Sequence, residues 1–222
     1  MKKRTSCFLS VCSAVLITMG LLLSPVWVGA DTLQYYMDNY NTYETGLRID
    51  DKIFWGFSYS STNIPASSVN VTQLNTPLNP GLLFQAGWHA APGTTQDSGL
   101  IFNVSVVAGG GLIKDASLLG TGWNVDGNPE IQFVSEGLVP IGVNLSVYKG
   151  KLTDSIEFSP VQTLAVYKDI HLTGGDGAND FAAVSLIEQR FSEVPIPEPA
   201  TMLLLGSGLL GMGVYARRRF RK

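Results

Sequence analysis

Hydrophobic and polar residues alternate along most of the chain between residues 31 and 193. In residues 142–148, for example, Val143, Leu145 and Val147 fall on one face of an extended strand and polar residues on the other. Turn residues separate such runs. The pattern predicts an all-β body with about nine strands, which are residues 52–60, 70–74, 81–88, 98–108, 131–135, 142–148, 155–159, 164–172 and 182–191. Many short strands with frequent turns favour an antiparallel two-sheet sandwich or jelly roll.

Three stretches complicate this pattern. The apolar face of residues 164–172 includes one charged residue, Lys168. Residues 182–191 could extend a helix, but a strand is favoured because they follow a cluster of turn residues and lead into prolines. Residues 33–45 are rich in Tyr and Asn, and they fit either a short helix or a lead-in strand.

The first thirty residues are typical of a secretory signal peptide. Three basic residues at positions 2–4 precede an apolar stretch at 8–23 and small residues at 28–30. This order predicts a signal helix and cleavage between Ala30 and Asp31. Both cysteines, Cys7 and Cys12, lie inside this segment. The mature protein therefore has no thiol for a disulfide or a metal site.

The last segment, residues 194–222, has three parts. Prolines alternate at positions 195, 197 and 199, which favours extended backbone. Residues 200–216 are uncharged and would span about 25 Å as one transmembrane helix. Arg217, Arg218 and Arg219 begin a basic end that is expected to stay in the cytoplasm. The chain is thus divided into a signal peptide (1–30), a passenger domain (31–193) and a C-terminal segment (194–222).

Pro197, Glu198 and Pro199, followed by the apolar helix and the arginine cluster, resemble the PEP-CTERM sorting signal of Gram-negative bacteria. The resemblance implies recognition by exosortase, a membrane-embedded enzyme that cuts near the Pro-Glu-Pro motif, after export by the general secretion machinery. The protein would be anchored transiently by its C-terminal helix and would then reach the cell surface or extracellular matrix, associated with exopolysaccharide. An ordinary tail anchor is the alternative, but such an anchor needs no Pro-Glu-Pro motif.

The passenger domain is acidic, with seven Lys and Arg residues against 17 Asp and Glu residues. A net charge of −10 argues against binding to nucleic acid through a basic patch and permits cation binding. The simpler explanation of this charge is that a secreted protein has an acidic, solvated surface.

The residues of the passenger domain offer little catalytic chemistry. Its two histidines, His89 and His171, are not part of a metal-binding spacing, and the domain has neither Gly-x-Ser-x-Gly nor a phosphate-binding loop. The sequence therefore predicts no enzyme, no cofactor and no established metal site. Asp176, Asn179 and Asp180 could serve as calcium ligands, as could the loop at 123–128, but Asp, Asn and Gly are also the usual residues of turns, which is the favoured interpretation.

Three functions remain as hypotheses. The favoured one is a non-enzymatic envelope or matrix protein. The second is a lectin-like module that binds carbohydrate or calcium, since Trp55, Tyr59, Trp88 and Trp123 could stack on sugars if exposed. The third is a secreted hydrolase, which would need a cleft that joins a histidine to Ser and Asp.

Overall fold

The computed structural model describes residues 30–127 and 131–194. Within these residues the chain forms thirteen strands and one α-helix, α1 (Leu33–Asn39). The strands are β1 (Asp31–Thr32), β2 (Leu47–Ile49), β3 (Lys52–Ser61), β4 (Asn70–Leu74), β5 (Gly81–Ala90), β6 (Thr95–Val106), β7 (Leu112–Thr121), β8 (Asn124–Asp126), β9 (Ile131–Val139), β10 (Val143–Val147), β11 (Thr153–Val161), β12 (Thr163–Thr173) and β13 (Phe181–Val194).

The strands make two antiparallel sheets. The seven-stranded sheet has the order β1-β4-β5-β13-β7-β11, and β8 also pairs with β13. The six-stranded sheet has the order β10-β9-β12-β6-β3-β2. The last strand of the described chain, β13, therefore lies inside its sheet, between β5 and β7. This topology confirms the predicted all-β architecture of two antiparallel sheets.

Aromatic side chains fill the space between the sheets. The ring of Phe102 lies 5.7 Å from that of Phe57 and 5.9 Å from that of Phe84, measured between ring centroids. The rings of Phe54 and Phe191 lie 6.2 and 6.5 Å from it. Separations of this size are typical of favourable aromatic pairs, each of which adds to the free energy gained by burial. The core thus joins strands from both sheets.

A buried polar bridge also crosses the core. The predicted apolar face of β12 is confirmed, and its charged member, Lys168, is buried with it. The Lys168 ammonium binds the Glu136 carboxylate on β9, and it donates to Gln189 Oε1 on β13 of the other sheet at 2.5 Å. Burial raises the pKa of Glu136 and lowers the pKa of Lys168, while the attraction between the two charges opposes both shifts.

All nine predicted strands are present, with bounds that differ by a few residues. Residues 182–191 form a strand, as favoured, and residues 33–45 contain helix α1, capped by Thr32 Oγ1, which accepts a hydrogen bond from Tyr35 N at 3.3 Å. The sequence missed β7 because its buried residues do not keep a period of two. Ile113 and Ala116 are both buried although they are three residues apart. The partner strands shift register here, which identifies a bulge.

Candidate functional site

The fold begins where the signal peptide is predicted to end. Ala30 is exposed, and Asp31 opens β1 by pairing with Val71 of β4. The signal peptide itself, residues 1–29, lies outside the described residues. Cleavage between Ala30 and Asp31 stays a prediction, and it would leave the first strand intact.

The other boundary, at the end of β13, is fixed by charged side chains. The buried ammonium of Lys52 on β3 binds Asp51 Oδ1 at 2.9 Å and Glu193 Oε2 at 3.1 Å. Burial raises the pKa of Glu193, and its hydrogen bond with Asp51 acts in the same direction. Burial also acts to raise the pKa of Asp51, but hydrogen bonds from Glu193 and Lys52 outweigh it and lower that pKa. This cluster ties the last residues of β13 to the opposite sheet.

The residues predicted for sorting follow directly. Pro197, Glu198 and Pro199, the apolar residues 200–216, and Arg217, Arg218 and Arg219 all lie outside the described residues. Residues 30–127 and 131–194 contain no helix with the length and hydropathy needed to cross a membrane. The transmembrane helix and its cytoplasmic end therefore stay predictions.

The two loops considered for calcium meet at one end of the sandwich. Asn179 and Asp126 line a cleft of about 360 Å³ together with His89. Asp180 Oδ2 accepts a hydrogen bond from Gly177 N at 2.9 Å, so this carboxylate supports the turn. Asp176 is exposed in the same loop. The structure brings these polar groups together, and Asp180 stabilises the turn that the sequence favoured over calcium binding. Calcium binding stays an untested alternative.

The aromatic residues proposed for sugar binding do not form an exposed platform in the described part of the chain. Trp88 is 1% exposed, and its indole donates to Tyr59 Oη at 3.2 Å. Trp55 Nε1 donates to Ser105 Oγ, and Trp123 Nε1 donates to the Gly120 carbonyl. Trp55, Tyr59 and Trp123 are partly buried. These side chains act mainly in packing. A cluster of exposed tryptophans would favour a lectin, and these residues do not form one.

The two histidines lie in different parts of the sandwich. His89 Nδ1 lies 2.9 Å from the Gly87 carbonyl, whereas His171 Nε2 lies 3.3 Å from Thr173 Oγ1. Within the described ranges, neither imidazole forms a hydrogen bond with a serine. The arrangement that would favour a serine hydrolase is therefore not seen there.

Sequence reasoning missed the acidic neighbours of His171. Asp97 on β6 lies directly opposite His171, and Asp169 precedes it by two residues on β12. The period of a strand places Asp169 and His171 on the same outer face, so that pair could have been found from the sequence. Asp97 could not, because only the pairing register of β6 and β12 brings it there.

Comparison with solved structures finds distant similarity to the body. The chain is 12% identical to TmCBM61 in complex with beta-1,4-galactotriose, with a TM-score of 0.31, over 71% of this chain and 98% of that chain. The chain is 14% identical to the family 32 CBM from C. perfringens NanJ in complex with galactose, with a TM-score of 0.23, over 60% of this chain and 93% of that chain. It is 11% identical to Rru_A2000 from Rhodospirillum rubrum, a cupin-2 domain, with a TM-score of 0.22, over 68% of this chain and 82% of that chain. Overlaps at these TM-scores carry no conclusion about function.

Comparison with known sequences identifies the tail. No curated protein matches the chain significantly. A family model described as the PEP-CTERM protein-sorting motif matches residues 195–219, which begin one residue after β13 ends. The chain therefore carries a PEP-CTERM protein-sorting motif, a signal that implies export and recognition by exosortase.

Proposed function

We propose that this chain is a non-enzymatic protein of the cell envelope or extracellular matrix, released from the membrane when exosortase cuts its tail near Pro197-Glu198-Pro199. The observation that supports this proposal is the position of the sorting motif. Its first residue, at position 195, directly follows Val194, the last residue of β13. The β-sandwich fills the interval between the two predicted signals, from Asp31 to Val194. Cutting at either end would therefore leave all thirteen described strands intact.

The surface of the body suits a protein that is folded and soluble once it has been exported. Its net charge of −10 favours solubility, and its large aromatic residues are mostly packed inside. The body has no cysteine, so its stability outside the cytoplasm rests on its core instead of on disulfides. Association with exopolysaccharide is part of the proposal, and co-fractionation of the released protein with cell-bound polysaccharide tests it.

The processing step is tested by intact mass. The chain is expressed in cells with and without exosortase, and the mass of the exported protein is measured in each. We expect a shorter form that lacks the apolar helix and the arginine cluster only when exosortase is present. Replacement of Pro197, Glu198 and Pro199 by alanine should prevent this shortening, because the rigid extended motif is what the enzyme would grip.

A proline in the body serves as the matched control. Pro160 is exposed on β11, far along the chain from the tail, so Pro160→Ala should leave processing unchanged. A tail that stays attached with or without exosortase would reject the proposal and identify residues 200–216 as an ordinary tail anchor.

A further inference from the structure

Three potential metal ligands converge on the outer face of the six-stranded sheet. His171 on β12 lies directly opposite Asp97 on β6, and Asp169 lies opposite Gly99. One carboxylate oxygen of each aspartate and one ring nitrogen of the histidine all lie within 4.8 Å of one another. Because Gly99 has no side chain, the space across from Asp169 stays open. Two adjacent, fully paired strands therefore hold the three groups on a rigid surface.

The imidazole is oriented by residues outside this trio. His171 Nε2 lies 3.3 Å from Thr173 Oγ1, and the Phe133 ring stacks on the imidazole at 5.6 Å with an interplanar angle of 17°. In the tautomer whose Nε2–H donates to Thr173 Oγ1, Nδ1 carries the lone pair, and it lies 4.0 Å from Asp97 Oδ1. That distance is too long for a hydrogen bond. Two tetrahedral ligands at about 2.0–2.2 Å from one ion lie about 3.3–3.6 Å apart, so the exposed Asp97 side chain would move closer by a few tenths of an ångström on binding. Such support of the second ring nitrogen is typical of metal-binding histidines.

The charges at this place also lack an internal counterpart. In the described residues, neither Asp97 nor Asp169 forms an ion pair with a lysine or arginine. Like charges on neighbouring strands destabilise a sheet. A bound cation would offset this repulsion.

Open space lies beside the carboxylates. A pocket of about 460 Å³ is lined by Asp97, Asp169, Gly99 and the hydroxyl-bearing residues 60–62. An ion held by the three side chains would face this pocket, so that water or a small ligand could complete its coordination. The site is distinct from the loop at residues 174–180 that the sequence suggested for calcium.

We propose that Asp97, Asp169 and His171 bind a divalent first-row transition-metal ion, with Zn²⁺ the best match. An imidazole nitrogen with two carboxylates is a ligand set that Zn²⁺ accepts in tetrahedral geometry, with a fourth position left for solvent. Ca²⁺ fits less well, because it takes about 6–8 oxygen ligands and this site offers one nitrogen and few oxygens. The inference does not depend on processing of the tail.

The test is a Zn²⁺ titration of the full chain by calorimetry in detergent. Cys7 and Cys12 are replaced by serine in every variant, so that thiolates in the signal segment cannot bind the metal. We expect one saturable site, and a loss of affinity of at least about tenfold in Asp169→Asn and in His171→Gln. His89→Gln is the matched control, because the chain has two histidines and His89 lies outside the trio. Its affinity should be unchanged.

A second measurement uses the chain with Asp97, Asp169 and His171 intact. Its result cannot be confused with misfolding of a variant. Zn²⁺ should shift the imidazole resonances of His171 in NMR spectra and leave those of His89 in place. The proposal is overturned if no saturable binding occurs, if Asp169→Asn and His171→Gln keep the parent affinity, or if the His171 resonances do not respond. Binding that depends on Asp176 and prefers Ca²⁺ would overturn it too, and would assign the metal to the loop.

Discussion

The buried bridge of Lys168, Glu136 and Gln189 makes a sharp prediction about stability. The Lys168→Met variant keeps the length of the side chain and removes its charge. Both charged side chains are completely buried, at 0% exposure, and Glu136 Oε1 already lacks a hydrogen-bond partner in the described structure. The variant therefore leaves a carboxylate in the core without its counter-charge. We expect the free energy of unfolding to fall by about 3–5 kcal/mol.

The same structure predicts how the loss is recovered. Replacing Glu136 by Leu in the Lys168→Met background removes the stranded charge, so part of the lost stability should return. Gln189 would still lack the donor that now lies 2.5 Å from its Oε1, which leaves a cost of about 1–3 kcal/mol. From the midpoints of the two ranges, the double variant should be about 2 kcal/mol more stable than Lys168→Met alone, and the two effects should not be additive.

Urea denaturation of the purified exported protein, followed by tryptophan fluorescence, measures these differences. With a slope of about 2 kcal/mol per molar urea, the midpoint for Lys168→Met should fall by about 1.5 M or more. Lys151→Met is the control, since Lys151 and Asp154 form a pair at 2.6 Å with exposures of 40% and 22%. Loss of such a surface pair should cost no more than about 1 kcal/mol. A cost for Lys168→Met as small as that of the control would refute the reasoning.

Two further predictions concern the backbone and the pH dependence. Gly81→Ala should strongly destabilise the protein, because the added Cβ would lie 2.0 Å from the Gln189 carbonyl oxygen. Gly87→Ala is the control, since its Cβ would meet nothing within 4 Å, and it should unfold near the urea midpoint of the parent protein. Burial raises the pKa of Tyr36 to about 12. Unfolding releases this proton between pH 10 and 12, so stability should fall as the pH rises through that window. Tyr36→Phe should remove this part of the pH dependence, and equal slopes in parent and variant would contradict it.

Local patterning predicted most strands because alternation depends only on neighbouring residues. It failed at β7, where a bulge places Ile113 and Ala116 on the same buried side. It also identified Lys168 as a charge on an apolar face but could not name Glu136 as its partner, since that contact depends on how β12 and β9 align. The same limit applies to Asp97 and His171. Side chains from distant strands meet through register, which a local pattern does not contain.

The interior position of β13 sets the order of events during export. In a chain that crosses the membrane from its N-terminus, residues 181–194 are the last part of the described fold to emerge. Until they do, β5 and β7 lack the strand that joins them, and Phe191 is missing from the aromatic core. The sandwich can therefore close only when the sorting motif has itself reached the membrane.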